Sequence, residues 1–216
     1  RDLCDKYMAT VPDHPVTPRN LPADDPITSP RYKRVEANVP QRALTIAYRM
    51  DPYGTQGYYA ADAISDILSN GKSSRFYSNL LKGTDLFTEV DASIMGAEEP
   101  GLFLINARLR ENSDEAQQRA IEAIDSELNK LLADGVTEYE LERAANKYES
   151  THTFNNLHYA RAGLNLAMAC MHGEQPEDPV TKYRSLTPEA VNATARKLFK
   201  HHSRVILSYG GITTAP

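Results

Sequence analysis

The sequence predicts an α+β domain: an antiparallel or mixed sheet covered on one face by helices. Three observations carry that expectation. Apolar residues alternate with period two over 42–50, 86–94 and 102–110, the spacing of a half-buried strand. Segments of helical period follow as a block between 114 and 172 instead of alternating with strands, which makes the class α+β. The strands are half polar and joined by short turns, as in a sheet with one covered face.

The elements follow in chain order. Residues 32–39 and 42–50 read as an antiparallel pair, with Pro40 and Gln41 at the bend and Leu44, Ile46, Tyr48 and Met50 on one face of the second strand. In "YYAADAISDILS", Ala60, Ala63, Ile64, Ile67 and Leu68 recur at helical spacing. Asn70-Gly71 supplies left-handed conformations that stop this helix. Ser73 or Ser74 is expected to cap a short second one carrying Phe76, Tyr77, Leu80 and Leu81. Strand 86–94 places Leu86, Thr88, Val90, Ala92 and Ile94 on one side. Strand 102–110 places Phe103, Ile105, Ala107 and Leu109 on its apolar face, and "GAEEPG" turns between the two.

A helix over 114–133 aligns Ile121, Ile124, Leu128, Leu131 and Leu132. Thr137-x-x-Glu140 is a capping box that opens the next, whose core face is Leu141, Ala144, Ala145 and Tyr148. Another helix covers 157–172. Thr187-Pro188 starts the last, which buries Val191, Ala195 and Leu198. "RVILSY" closes the pattern as a strand.

The chain has 216 residues and a formal net charge of −5. That balance offers no nucleic-acid surface, and no apolar run approaches the ~20 residues of a membrane-spanning helix. The opening "RDLCDKYMAT" reads as the middle of a longer protein. Residues 1–31 are therefore expected to hold the end of a preceding domain and a proline-rich connector (10–31), and 32–216 a single domain. Cys4 and Cys170 belong to no disulfide or Cys-x-x-Cys framework. Cys170, within "NLAMACM", is expected to be a buried small hydrophobe.

No complete catalytic or metal-binding set is legible. The histidines are His14, His152, His158, His172, His201 and His202, and no two are spaced three or four apart. Neither His-Glu-x-x-His nor its inverse occurs. Glu149-x-x-His152 is half of a carboxylate-bridged metal pattern without its second copy, so both read as solvated helix residues. His201-His202 read as cations at a helix C-terminus. Ser69-x-x-Lys72 lacks the companions of a serine nucleophile, and Glu98-Glu99 and Asp24-Asp25 read as solvated loop charges. Gly71-Lys72-Ser73 ends like a phosphate loop. Five residues earlier, however, stands Asp66 where the motif needs glycine, and the segment before it is helical in period.

The order of segments carries a resemblance. "DILSNGKSSRFYSNLL", "LFTEVDASI", "GLFLINARL" and "LNKLLADGVTEYELERAANKY", in that order, resemble the C-terminal domain of the pitrilysin/insulinase family of zinc metallopeptidases, which includes the mitochondrial processing peptidase. "GKSSRFY" is similar to the family's Gly-x-Ser-Ser-Arg-Leu-Tyr, and "LCDKYMATVP" to the end of its preceding domain. The likeness covers roughly residues 30–210.

The resemblance implies a protein of two similar α+β domains around a chamber. Zinc sits in the first, on His-x-x-Glu-His, so no metal ligand and no cofactor is expected here. The second domain closes the chamber over an unfolded peptide. Many such second domains offer an arginine and, seven residues on, a tyrosine. The matching positions here are Leu81 and Thr88, or Lys82 and Glu89. Neither pair can donate a charge-assisted bond to a peptide oxyanion as that arginine would, so no catalytic residue is assigned. The implied partners are a zinc-bearing N-terminal domain of the same parent, a peptide, and a second family subunit that could supply the Arg/Tyr pair. A non-catalytic peptidase half, an inactive scaffold and a stand-alone peptide-binding module all remain open.

Overall fold

In the computed structural model, residues 1–12, 14, 15, 17, 20–22, 24–175 and 178–211 are described. Part of the expected connector, residues 13, 16, 18, 19 and 23, lies outside them, as do 176, 177 and 212–216. Strands β1 (Arg31–Val35), β2 (Ala43–Met50), β3 (Phe87–Met95), β4 (Gly101–Leu109) and β5 (Arg204–Tyr209) form one sheet of order β1-β5-β2-β4-β3. Helix α1 (Asp2–Met8) precedes it and buries nothing. Helices α2 (Gln56–Ser69), α3 (Asp114–Asp134), α4 (Glu138–Asn155), α5 (Tyr159–His172), α6 (Asp178–Arg184) and α7 (Pro188–Leu198) make up the rest. No described helix is long and apolar enough to cross a membrane.

The α+β class holds, and most strand faces are those read from the alternation. Leu44, Ile46, Tyr48 and Met50 are buried, as are Phe103, Ile105, Ala107 and Leu109. They meet the apolar faces of α2, α3 and α7 in one contiguous core. Apolar burial of this kind supplies the main driving force, at about 25 cal/mol per Å². The capping box at Thr137 forms, with both reciprocal bonds present, and Thr187 caps α7 with Pro188 at its first position.

Five expectations are corrected. β1 and β2 are not an antiparallel pair: β5 inserts between them, parallel to β1 and antiparallel to β2. Every residue of β1, "RYKRV", is exposed, and a short charged strand suits an edge. Second, the apolar phase of β3 is broken. Phe87 pairs with Leu109 and Glu89 with Arg108, so Thr88 is an extra residue in a β-bulge. Phe87 is consequently turned into the core while Thr88 stays exposed.

Third, the segment after α2 is a π-helical turn (Tyr77–Leu81) without a side-chain cap. Gly71 takes the positive φ of +82°, whereas Asn70 stays extended. Ser73 Oγ accepts from Arg143, and Ser74 Oγ is buried without a partner. Fourth, Cys170 is exposed. Only Ala169 of α5 is buried, and a step of about 100° along a helix turns the next side chain away. Fifth, α6 was not expected. Its seven residues show too little periodicity to stand out, and Tyr183 packs it against the core.

Candidate functional site

The strands' other phase forms the second face of the sheet, where Leu102, Leu207 and Tyr209 are exposed beside polar residues. Register brings Thr45 of β2, Asn106 of β4 and Asp91 of β3 into one row. Thr45 Oγ1 donates to Asn106 Oδ1 at 2.9 Å, and Asn106 Nδ2 donates to Asp91 Oδ2 at 3.4 Å. In the neighbouring row Glu89 pairs with Arg108 at 3.2 Å. Together they line a shallow cavity of about 260 Å³. Burial raises the Asp91 carboxyl above its ordinary range; the Asn106 amide opposes this and the Glu89 charge adds to it. The cavity is thus lined by two carboxylates, of which Glu89 is paired with Arg108 and Asp91 has only the Asn106 amide.

β3 is also an outer strand of the sheet. Its Ala92 carbonyl accepts Ser69 Oγ at 2.9 Å. An edge strand of nine residues is a surface to which an extended chain can add.

The residues singled out in the sequence do not converge. His152 stacks on Tyr148 and contacts Asn156 Nδ2 at 3.0 Å. His172 lies 4.6 Å from Tyr53, ring centre to ring centre. His201 Nδ1 is 3.7 Å from Asp125, in a short turn beyond α7 instead of at its cap. His14, His158 and His202 are exposed. Glu149 receives Arg184 Nε at 2.9 Å, and Asp24 pairs with Arg49 at 2.9 Å. Lys72, Asp25, Glu98 and Glu99 are exposed, Lys72 in the turn after a helix and not after a strand. Among the described residues no group of three His, Cys, Asp or Glu could hold a metal ion. The donor set does not fit zinc.

At the positions expected to differ from the arginine and tyrosine, Leu81 packs against the core and Lys82 lies 5.2 Å from the Tyr77 ring centre. Thr88 Oγ1 donates to the Arg108 carbonyl at 3.2 Å, and Glu89 is held by Arg108.

The "GKSSRFY" stretch has a structural role that sequence reasoning missed. Arg75 donates bidentately to Glu140, from Nε at 2.8 Å and Nη2 at 2.9 Å, and to the Gly135 carbonyl at 2.7 Å. It therefore clamps the stretch to "DGVTEYE", part of the last of the four segments that carried the resemblance. Burial opposes ionisation of Glu140, but Arg75 and the Thr137 N–H outweigh it and hold the carboxyl below its usual range.

A tyrosine cluster was also missed. Tyr148 stacks on Tyr183 at 3.8 Å, Tyr183 contacts Tyr59, and the Tyr183 hydroxyl donates to Asp62. Burial pushes the Tyr58, Tyr59 and Tyr148 phenols to about 12, so none supplies a phenolate at neutral pH.

A five-stranded mixed sheet backed by helices defines the class as α+β. Residues 1–148 match the peptidase M16 inactive domain, and the chain belongs to that family. Solved structures agree in fold. A protease from Helicobacter pylori is 20% identical with a TM-score of 0.83, over 97% of this chain and 51% of its own. The peptidase M16 inactive domain from Pseudomonas fluorescens is 19% identical with a TM-score of 0.79, over 100% and 51%. A chain of complex III2 from Candida albicans is 14% identical with a TM-score of 0.73, over 96% and 52%. The chain thus spans about half the length of these structures. No curated protein matches it.

Proposed function

We propose that this domain is the non-catalytic half of a zinc-dependent peptidase. In this reading it closes a chamber and holds unfolded peptide while a zinc-bearing half of the same parent performs the hydrolysis. Membership of an inactive peptidase domain family carries the proposal. An extended peptide would pair with β3, and alternate side chains would lie beside Asp91 and Asn106 on the open face. Backbone hydrogen bonds are indifferent to side-chain identity, which suits an unfolded substrate. No step through zinc is assigned to these residues, because they do not fit it. The division into a connector over 1–31 and a domain over 32–216 belongs to the same proposal.

The test compares the 216-residue chain with its full parent. The parent is expected to carry His-x-x-Glu-His roughly 150–200 residues before Arg1, an ordinary domain length, and to lose peptide cleavage to a chelator. The isolated chain is expected to cleave nothing and to bind peptide weakly, since half a chamber buries only part of it. Chemical-shift changes on adding peptide should map to 87–95 and 106. Chelator-sensitive cleavage by the isolated chain, or shifts confined elsewhere, contradicts the proposal. The likeness to complex III2 favours an inactive scaffold as the second reading. A parent without the zinc motif selects that reading.

A further inference from the structure

One row on the open face of the sheet crosses all five strands. It runs through Lys33, Leu207, Thr45, Asn106 and Asp91, from the β1 edge to the β3 edge. Its hydrogen bonds point in one direction. Thr45 Oγ1 donates to Asn106 Oδ1 at 2.9 Å, which turns the amide nitrogen toward Asp91, and Nδ2 donates to Asp91 Oδ2 at 3.4 Å. The Thr45 proton and one Asn106 proton are thereby used, and a carboxylate has none to give. What the row still offers at its β3 end is the lone pairs of Asp91. Spare acceptors in a cavity suit a ligand that donates.

That donor should also carry charge. Glu89, Asp91 and Arg108 line the cavity, two carboxylates against one guanidinium, for a net charge of −1. Arg108 Nε is committed to Glu89 at 3.2 Å. The groups that act on the Asp91 charge are the Asn106 amide and the Glu89 carboxylate, and among the described residues no cation is paired with it. Lys33 ends the same row four strands away, about 19 Å at about 4.8 Å per strand. Salt screens surface charges beyond about 8 Å, so Lys33 does not balance Asp91. A half-buried carboxylate without a cation has lost part of its water and gained no partner in return.

The space suits one side chain. Its volume of about 260 Å³ falls below the roughly 300–1,000 Å³ of small-molecule sites. Ala43 lines it as well and gives the methylene stem of a long cationic side chain an apolar wall to lie on. We propose that this cavity is a subsite for an arginine or lysine side chain of a bound peptide, with Asp91 as its counter-ion. The inference rests on the reading above that the domain holds peptide, and it names the residue type held best. Asp91 is a specificity residue in this scheme and takes no part in hydrolysis. A guanidinium can bond both Asp91 oxygens in parallel, whereas an ammonium acts as a point charge, so arginine is expected to bind more tightly than lysine. A glutamate would bring a third carboxylate beside Glu89 and Asp91 and is expected to be rejected.

Four labelled peptides test this. They share one neutral, extended sequence and differ at a single central residue: arginine, lysine, glutamine or glutamate. Each is titrated into the full parent held in chelator, so that peptide is bound and not cut. The arginine peptide is expected to bind about tenfold more tightly than the glutamine peptide, as for a hydrogen bond to a charged group, with lysine between them and glutamate weakest. Asp91→Asn should bring arginine and glutamine to within about twofold. Asp91→Lys should reverse the order and favour glutamate. In the 216-residue chain the side-chain amide signals of Asn106 should move with the arginine peptide and not with the glutamine one. Equal affinity for arginine and glutamine overturns the inference and leaves the peptide-holding reading standing; the wild-type series alone decides this, even where a variant does not fold. A preference that survives Asp91→Asn overturns it too, because the cation then binds elsewhere. Binding of none of the four fails the peptide-holding reading and the inference with it.

Discussion

Replacing Arg75 by methionine removes the clamp between two of the stretches that carry the family resemblance while keeping most of the side chain's apolar bulk. Glu140 would be left with 17% of its side chain exposed, still accepting from Thr137 but without a cation. The Gly135 carbonyl would lose its guanidinium donor. Breaking a fully buried pair by removing one partner costs about 3–5 kcal/mol. This pair retains some water, so about 2–3 kcal/mol is expected, or a fall of roughly 5–10 °C in melting temperature for a domain of this size.

The pH dependence identifies the cause. Glu140 has a folded-state pKa below its ordinary value of 4.5. Its contribution is therefore fully present above that value and is lost as pH falls through the lower, folded one. In the variant the unpaired carboxylate is relieved by protonation first. The gap between wild type and Arg75→Met, read by urea unfolding, should be widest at pH 7 and narrow below about pH 4.5. A gap under about 0.5 kcal/mol at pH 7 would place the pair among exposed bridges and refute the argument. So would a gap that does not change with pH.

Three further outcomes follow from particular contacts. Cys170 should react with a maleimide in the native chain as fast as Cys4, since both are exposed; labelling only after denaturation contradicts the placement of α5. The Asp62 carboxyl is raised above 3.8, by burial first and also by Asp66. Its folded form therefore prefers the proton, and stability declines as pH rises from about 4 through the raised value. Asp62→Asn keeps an acceptor for Tyr183 and should flatten that decline without lowering the melting temperature at pH 7; a loss above about 5 °C rejects the assignment. Phe87→Ala should cost about 3–5 kcal/mol, as for a core aromatic, while Thr88→Ala costs under about 0.5 kcal/mol. Comparable losses at both positions would remove the bulge.

Local signals were legible where one residue's chemistry settles the backbone. The Thr137–Glu140 box, Thr187-Pro188 and the alternation in β2 and β4 all sit where expected. The candidate site was legible only in part. Thr45, Asp91 and Asn106 stand at polar positions of predicted strands, but nothing in the chain announces that they share a row. That row exists because β4 pairs with both β2 and β3 in one register. Arg75 and Glu140 were likewise visible only as members of separate motifs, 65 residues apart.

The amino-acid order determined by itself the α+β class, the caps at Thr137 and Thr187 and the apolar faces of β2 and β4, because these depend on neighbours within a few residues. It also determined the absence of any zinc or nucleotide motif within its own span. Tertiary structure decided the rest. It placed β5 between β1 and β2, turned Phe87 inward through the bulge and brought Thr45, Asn106 and Asp91 into one row. Each of these depends on which distant segment fills a given place, and that choice is made by packing the whole core at once, not by the propensity of any one segment.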